Sequence, residues 1–327
     1  MQLKHHAKIS VAPMMDWTDR HCRYLHRLMS RHALLYTEMV TAPAVIHGDR
    51  DRLLGFDAAE HPVAVQLGGS DPVQLAQAAR ICADMGYDEI NLNCGCPSDR
   101  VQSGSFGAVL MENANLVADC CDAMGNAVDV PITVKCRIGV DDQNAQEVLP
   151  DFLARVAVAG VDRFTIHARK AWLQGLSPKE NRDIPPLDYD LVRQMKMTFP
   201  NMHLSVNGGV ETLDAAADFL DALDGVMIGR AAYHTPSAIL LDVDRRFFGE
   251  TSHRTAEDIV HLMQPYIAQH LKGGGRLNQI TRHMLGMFQG RPGARMWRRY
   301  ISENAHKDGA DGRVVDDALR FVTEIAA

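Results

Sequence analysis

Eight short β-rich runs recur between residues 9 and 231, and segments with helical periodicity separate them. The runs read ISVAPM, ALLYTEMV, PVAVQLGG, DEINLNCG, PITVKCRIG, RFTIHAR, HLSVNGGV and GVMIGRA. Helical stretches are expected at 71–85, 115–124, 145–159, 190–198 and 212–223; several open on a capping residue and close at a glycine, as with Asp71 and Gly86. Repeated β-then-α units build a parallel sheet, and eight is the number that closes it into a barrel. The expected fold is therefore α/β, a (β/α)8 TIM barrel, with a doubly wound open sheet as the alternative. After Gly249 the pattern is helical only, with helices expected at 256–271, 277–288, 294–304 and 314–325. Glycine-rich loops, KGGG and QGRPG, punctuate them. The division that follows is a barrel domain at 1–249 and a small all-helical C-terminal domain at 250–327.

Charge matters in the helical part. The chain carries a net charge of −7, yet 259–302 contains no Asp or Glu and seven cations: Lys272, Arg276, Arg282, Arg291, Arg295, Arg298 and Arg299. With 41 acids in 327 residues, about five belong in a stretch of that length. The segment reads either as a nucleic-acid-facing patch or as a solvated helical face. The opening MQLKHHAKIS has no long apolar region, and no later run approaches a membrane span, so a cytoplasmic protein is expected. Its seven cysteines are then reduced, and Cys22, Cys82, Cys120, Cys121 and Cys136 read as small buried apolar residues.

A barrel enzyme works at the C-terminal ends of its strands. Polar residues gather there: Gln66 after strand three, Asn93 and Cys96 after strand four, Lys135 and Arg137 on strand five, His167 and Arg169 on strand six. Singly, His167 reads as a core histidine and Lys135 as a partner for Glu38. A ring of polar groups around one mouth is harder to explain structurally. Asn207-Gly208-Gly209 and Gly229-Arg230, after strands seven and eight, suit a phosphate, because glycine turns let backbone N–H groups approach it and Arg230 adds charge. No Gly-x-Gly-x-x-Gly opens a helix, and no P-loop, His-Glu-x-x-His or Cys-x-x-Cys pair occurs, so Rossmann dinucleotide, Walker-type and zinc readings lack support. No metal is expected. Cys94 and Cys96 are too close for a typical zinc pair.

Taken together, Pro13-Met14-Met15, QLGG at 66–69, NLNCGCP at 91–97, KCR at 135–137, HAR at 167–169, NGG and IGR resemble the FMN-dependent tRNA-dihydrouridine synthases. KAWLQGLSPKENRDIPPLDY at 170–189 resembles the A-type branch, which acts on the D-loop uridines U20 and U20a. The resemblance implies FMN over the barrel mouth, NADPH as hydride source, and Cys96 as the acid that protonates C5 of a uracil. A free thiol, with a pKa of about 8.5, is mostly protonated at neutral pH and suits proton donation. Metal binding or nucleophilic attack would need the thiolate. Cys94, nearer the strand body, is expected to pack.

The same resemblance implies a cofactor pocket from Pro13, Met14, Met15, Gln66, Asn93, Lys135, His167, Asn207, Gly208, Gly209, Gly229 and Arg230. For tRNA, the candidate contacts are Lys179 and Arg182 in the long strand-six loop and Arg295, Arg298 and Arg299 in the helical part. Trp297 and Tyr300 lie among them, as stacking groups or as core. No obligate protein partner and no membrane are implied. The alternatives are an FMN barrel oxidoreductase on a free pyrimidine, of dihydroorotate-dehydrogenase type, and a non-enzymatic RNA-binding protein.

Overall fold

The computed structural model describes residues 2–98, 106–251 and 253–324. All eight expected strands form: β1 (Ile9–Val11), β2 (Leu35–Thr41), β3 (Val63–Gly68), β4 (Glu89–Cys94), β5 (Ile132–Arg137), β6 (Arg163–His167), β7 (His203–Asn207) and β8 (Gly225–Ile228). Every pairing is parallel, in the order β1-β8-β7-β6-β5-β4-β3-β2. A parallel bridge between Ser10 and Leu34 joins the two ends. The sheet is a closed barrel, and the open-sheet alternative is set aside.

Strand alternation divides the core. On β4, Ile90, Leu92 and Cys94 point outward into the large apolar layer between strands and helices. The inward side holds a smaller apolar group, Ala12, Leu34, Tyr36, Ala64 and Met227 among them, and a run of polar residues. Cys22, Cys82, Cys120, Cys121 and Cys136 are buried free thiols, as expected.

The barrel helices fall where periodicity and caps place them, for instance Pro72–Asp84 with Asp71 accepting from the Gln74 amide, and Tyr189–Thr198 with Asp188 accepting from the Leu191 amide. Three of the four C-terminal helices also match, as Ala256–Lys272, Ala294–Asn304 and Arg313–Thr323. Ile325, at the end of the last expected helix, lies outside the described residues.

The expectation for 277–288 needs correction. Only Leu277–Thr281 is α-helical, and tighter bonds follow, from the amides of His283 to Ile280 O and Met284 to Thr281 O. The cause is packing: Gly286 presses so closely on His234 that a Cβ would sit 2.2 Å from the His234 carbonyl oxygen. The helical part does not stand off from the barrel. Met263, Met284, Trp297 and Val322 share one apolar core with the barrel helices. Tyr266 stacks on Tyr24 at 3.9 Å, and Arg282 and His283 bind Asp19, which caps the barrel helix Arg20–Met29.

Candidate active site

The inward face of β4 carries Glu89, Asn91 and Asn93 at alternate positions, and they form one hydrogen-bonded ladder along the barrel axis. Asn93 Nδ2 donates to Gln66 Oε1 (2.8 Å), Gln66 Nε2 to Asn91 Oδ1 (2.8 Å), and Asn91 Nδ2 to Thr133 Oγ1 (2.9 Å). Thr133 Oγ1 and the Tyr36 hydroxyl both donate to Glu89, which also pairs with Arg163. Each amide in the series is oriented by the next. The top of the ladder is thus a rigid surface.

That surface holds the thiol loop. Asn93 Oδ1 accepts from the amides of Gly95 (3.1 Å) and Cys96 (3.0 Å), fixing the turn that carries Cys96 past the strand end. Cys96 is half-buried, and its Sγ donates to Ser98 Oγ at 3.5 Å. Cys94, two residues earlier, is fully buried; burial pushes its thiol well up, so it fills space. One residue of spacing separates an inert sulfur from one at the mouth.

Around Cys96 stands a group of cations. Lys135 is half-buried and makes no ion pair among the described residues; burial, with help from Arg137, pushes its ammonium down to about 8. Glu38, its candidate partner, instead accepts from the Asp16 amide. Arg137, expected in the polar ring at the mouth but in neither the cofactor pocket nor the tRNA contacts, binds the mouth together. Its Nε donates to Gly95 O (3.1 Å) and its Nη1 to Lys170 O (3.1 Å) and Asn181 O (2.9 Å). The signal was present in KCR, because residues two apart on a strand share a face. His167 is buried and its pKa is driven well below the ordinary value by burial and by Arg137, Lys135, Arg169 and Arg182, so the ring is neutral.

The strand-six loop closes this side. Expected as a long stretch without regular structure, it contains one short helix, Glu180–Asp183, and is organised by Asn181. That fully buried amide accepts from the Trp172 amide (2.7 Å) and donates to the carbonyls of Trp172 (2.9 Å) and Leu176 (3.1 Å). Lys170 Nζ is spent on the carbonyls of Asp141 and Gln143. Arg182 is exposed beside the mouth, near Arg230 and Cys96, and Lys179 is exposed on the same loop.

After β7, Gly208 and Gly209 adopt φ of 102° and 71°, and a Cβ on Gly208 would lie 2.4 Å from the His167 ring. Both conformation and space require glycine there. Gly229 differs: its φ is −101° and a Cβ would meet only Ala12 and Met14 at ordinary contact distance. Arg230 pairs with Asp183 (2.8 Å), and Asn207 Nδ2 ties β7 to β8 through Met227 O (2.8 Å). In the loop after β1, the Met14 amide is held by Thr18 Oγ1, Met14 lies beside Gly229, and Met15 is exposed next to Pro13.

The RNA-facing candidates of the helical part occupy one exposed helix face. Arg298 donates to Gln289, Arg299 pairs with Glu303 one turn on, and Arg295 has no side-chain partner among the described residues. Trp297 is core: it is fully buried and its Nε1 donates to Met284 O (3.0 Å). Tyr300 is half-buried against Phe321.

A closed parallel barrel with a thiol, a cluster of cations and a glycine-arginine turn converging on its C-terminal mouth has the architecture of a (β/α)8 barrel enzyme. The chain belongs to the dihydrouridine synthase family, whose model, described as "Dihydrouridine synthase (Dus)", matches residues 10–323. It is similar to the tRNA-dihydrouridine(20/20a) synthase of Escherichia coli (strain K12), 59% identical over 321 residues that cover 97% of this chain and 92% of that one. It is likewise similar to the protein of that name from Vibrio cholerae serotype O1, 57% identical over 319 residues, 97% of each chain. Among solved structures, an old yellow enzyme homologue from Zymomonas mobilis matches with a TM-score of 0.52 and 14% identity, over 77% of this chain and 92% of that one. That likeness concerns the fold alone.

Proposed function

We propose that this chain is an FMN-dependent tRNA-dihydrouridine synthase that reduces the C5–C6 double bond of U20 and U20a in the D-loop, with NADPH as the reductant. The observation that carries the reading of the site is the meeting of Cys96 and Lys135, a cation without a counter-ion among the described residues, at one barrel mouth. The residues fit an anionic flavin. The Lys135 ammonium lacks a carboxylate among the described residues, the Arg169 Nε is buried without an acceptor, and Gly208 and Gly209 leave backbone exposed on the phosphate side. In this reading Gln66, Asn93 and Lys135 hold the ring, Pro13 to Met15 and His167 frame it, and Asn207 to Gly209 with Gly229 and Arg230 take the phosphate.

When bound and reduced, FMN supplies hydride to C6 of the uracil. Cys96 Sγ–H gives its proton to C5, and solvent restores the thiol; hydride and proton together saturate the double bond. Asn93 aims this acid through the Gly95 and Cys96 amides. Arg137 holds the carbonyl side of the same turn and the strand-six loop in one position. His167, kept neutral, can donate or accept toward the base without adding charge. Arg182 beside Cys96 faces the substrate's phosphate or carbonyl oxygens.

Lifting the base out of the RNA costs a few kcal/mol, which phosphate contacts elsewhere must offset. Residues 250–327 supply them through the exposed helix face carrying Arg295, Arg298 and Arg299, in the segment 259–302 that lacks Asp and Glu, with Lys179 on the mouth loop. A free pyrimidine would have no use for that surface, which disfavours the small-molecule alternative. No helix among the described residues is long and apolar enough to cross a membrane, and the reading places the protein with tRNA in the cytoplasm. The test is single turnover: Cys96→Ala, reduced with NADPH, should retain FMN but form dihydrouridine at least about a hundredfold more slowly. Full turnover in that variant removes Cys96 from the acid role.

A further inference from the structure

At the end of the barrel opposite Cys96, the strands start around a pocket of about 350 Å³ that Lys4, Lys8, His203, Leu223 and Asp224 help to line. His203 opens β7 and is 7% exposed, yet neither ring nitrogen has a hydrogen-bond partner among the described residues. An unpartnered buried polar group is unfavourable by about 1–3 kcal/mol, so its retention calls for an explanation. In register with it on β6, behind the pocket lining, is Arg163, also buried, whose Nη1 has no partner among the described residues while its other side pairs with Glu89. Among the described residues, Lys8 Nζ reaches just the Phe247 carbonyl, at 3.4 Å.

The carboxylates nearby are already engaged. Asp162 pairs with Lys4, and Asp224 pairs with Lys196 (2.8 Å) and accepts from the Leu204 amide (2.8 Å). Among the described residues the donors left over are Arg163 Nη1 and one N–H of His203, and the Lys8 ammonium, held only by its long bond to the Phe247 carbonyl, lines the same pocket. A deficit of acceptors selects an anion. The His203 ring is pushed down to about 4 by burial first and then by Arg163, with Asp224 and a contact to its own backbone opposing and Lys4 adding, so the ring sits neutral among cations.

We propose that the N-terminal end of the barrel is a second anion site, which takes a small oxyanion of the phosphate class on Lys8, Arg163 and His203. In barrel enzymes this face serves stability rather than chemistry, so occupancy stabilises the fold and leaves the reaction at the other end untouched. The experiment uses the FMN-loaded protein, so that the mouth is filled, and titrates inorganic phosphate at constant ionic strength. The His203 ring resonances and the thermal midpoint are followed. Saturable movement of both is expected, with about tenfold weaker binding in Lys8→Ala, no ring-coupled response in His203→Gln, and unchanged dihydrouridine formation in Lys8→Ala. A response no larger than with matched chloride would leave the ring merely hydrated and overturn the site. An undiminished response in Lys8→Ala would do the same, placing the phosphate on the exposed arginines.

Discussion

Cys96 and Lys135 show what single residues settle. Lys135 has a folded pKa of about 8 against 10.5 for the ordinary ammonium, so between those values the unfolded chain binds more protons than the folded one. Stability of the flavin-free protein should therefore rise with pH across that window, and the burden of the buried charge is fully present below pH 8. Lys135→Met should remove this slope and stabilise the flavin-free protein at pH 7 by on the order of 2 kcal/mol, while weakening FMN retention. Denaturant unfolding at several pH values measures the first effect and flavin content the second; an unchanged slope would mean the ammonium finds a partner. Much of this chemistry was legible in the sequence, because NLNCGCP and KCR place polar groups at strand ends. The separate fates of Cys94 and Cys96 followed from the strand's end. That Glu38 turns to the Asp16 amide instead of Lys135 was not legible, because a left-handed residue at Asp16, φ 64°, redirects that loop.

Among the elements, the strand-six loop and the seam at Asp19 carry the most. Asn181 satisfies backbone groups at three carbonyls and one amide inside the loop and receives Arg137 on its own carbonyl. Asn181→Ala should loosen 170–185 and lower stability by about 1–3 kcal/mol. Limited proteolysis should then cut within that loop, and protection equal to wild type would show that Arg137 alone orders it. Asp19 caps its helix through the His21 and Cys22 amides and meets His283 and Arg282 from the C-terminal part. Burial pushes its carboxyl up, but hydrogen bonds from His283, the Cys22 amide and Arg282 outweigh this and hold it well below the usual range. Its contribution is present above the ordinary carboxylate pKa and is lost as pH falls below about 4. Asp19→Ala should therefore destabilise by about 3 kcal/mol at pH 7, and by less in acid, in chemical denaturation. The eight strands were readable because short β-rich runs recur between segments of helical periodicity. The break after Thr281 was not, because it depends on Gly286 meeting His234, a contact far apart in the chain.

At the scale of the whole molecule, the proposed function assigns the chemistry to one barrel end and the RNA to the exposed arginines of the acid-free segment 259–302. Reversing Arg295 and Arg298 to Glu should weaken tRNA binding and reduce the slope of log K against log salt by about two, leaving flavin content unchanged. An unaltered slope would move the RNA to another face. The fold class and the basic stretch could both be read from the chain, since each is a property of pattern and composition. Which arginines are free could not: Arg291 and Arg299 are taken up by Glu257 and Glu303, which flank the acid-free segment. The central claim is that this mouth delivers hydride and proton to U20 and U20a of a bound tRNA. Mapping dihydrouridine, nucleotide by nucleotide, in unmodified tRNA treated with the purified FMN-loaded chain and NADPH tests it most directly. The account predicts modification at those two positions with the wild-type chain and none with Cys96→Ala; modification elsewhere, or equal modification by both, would contradict it.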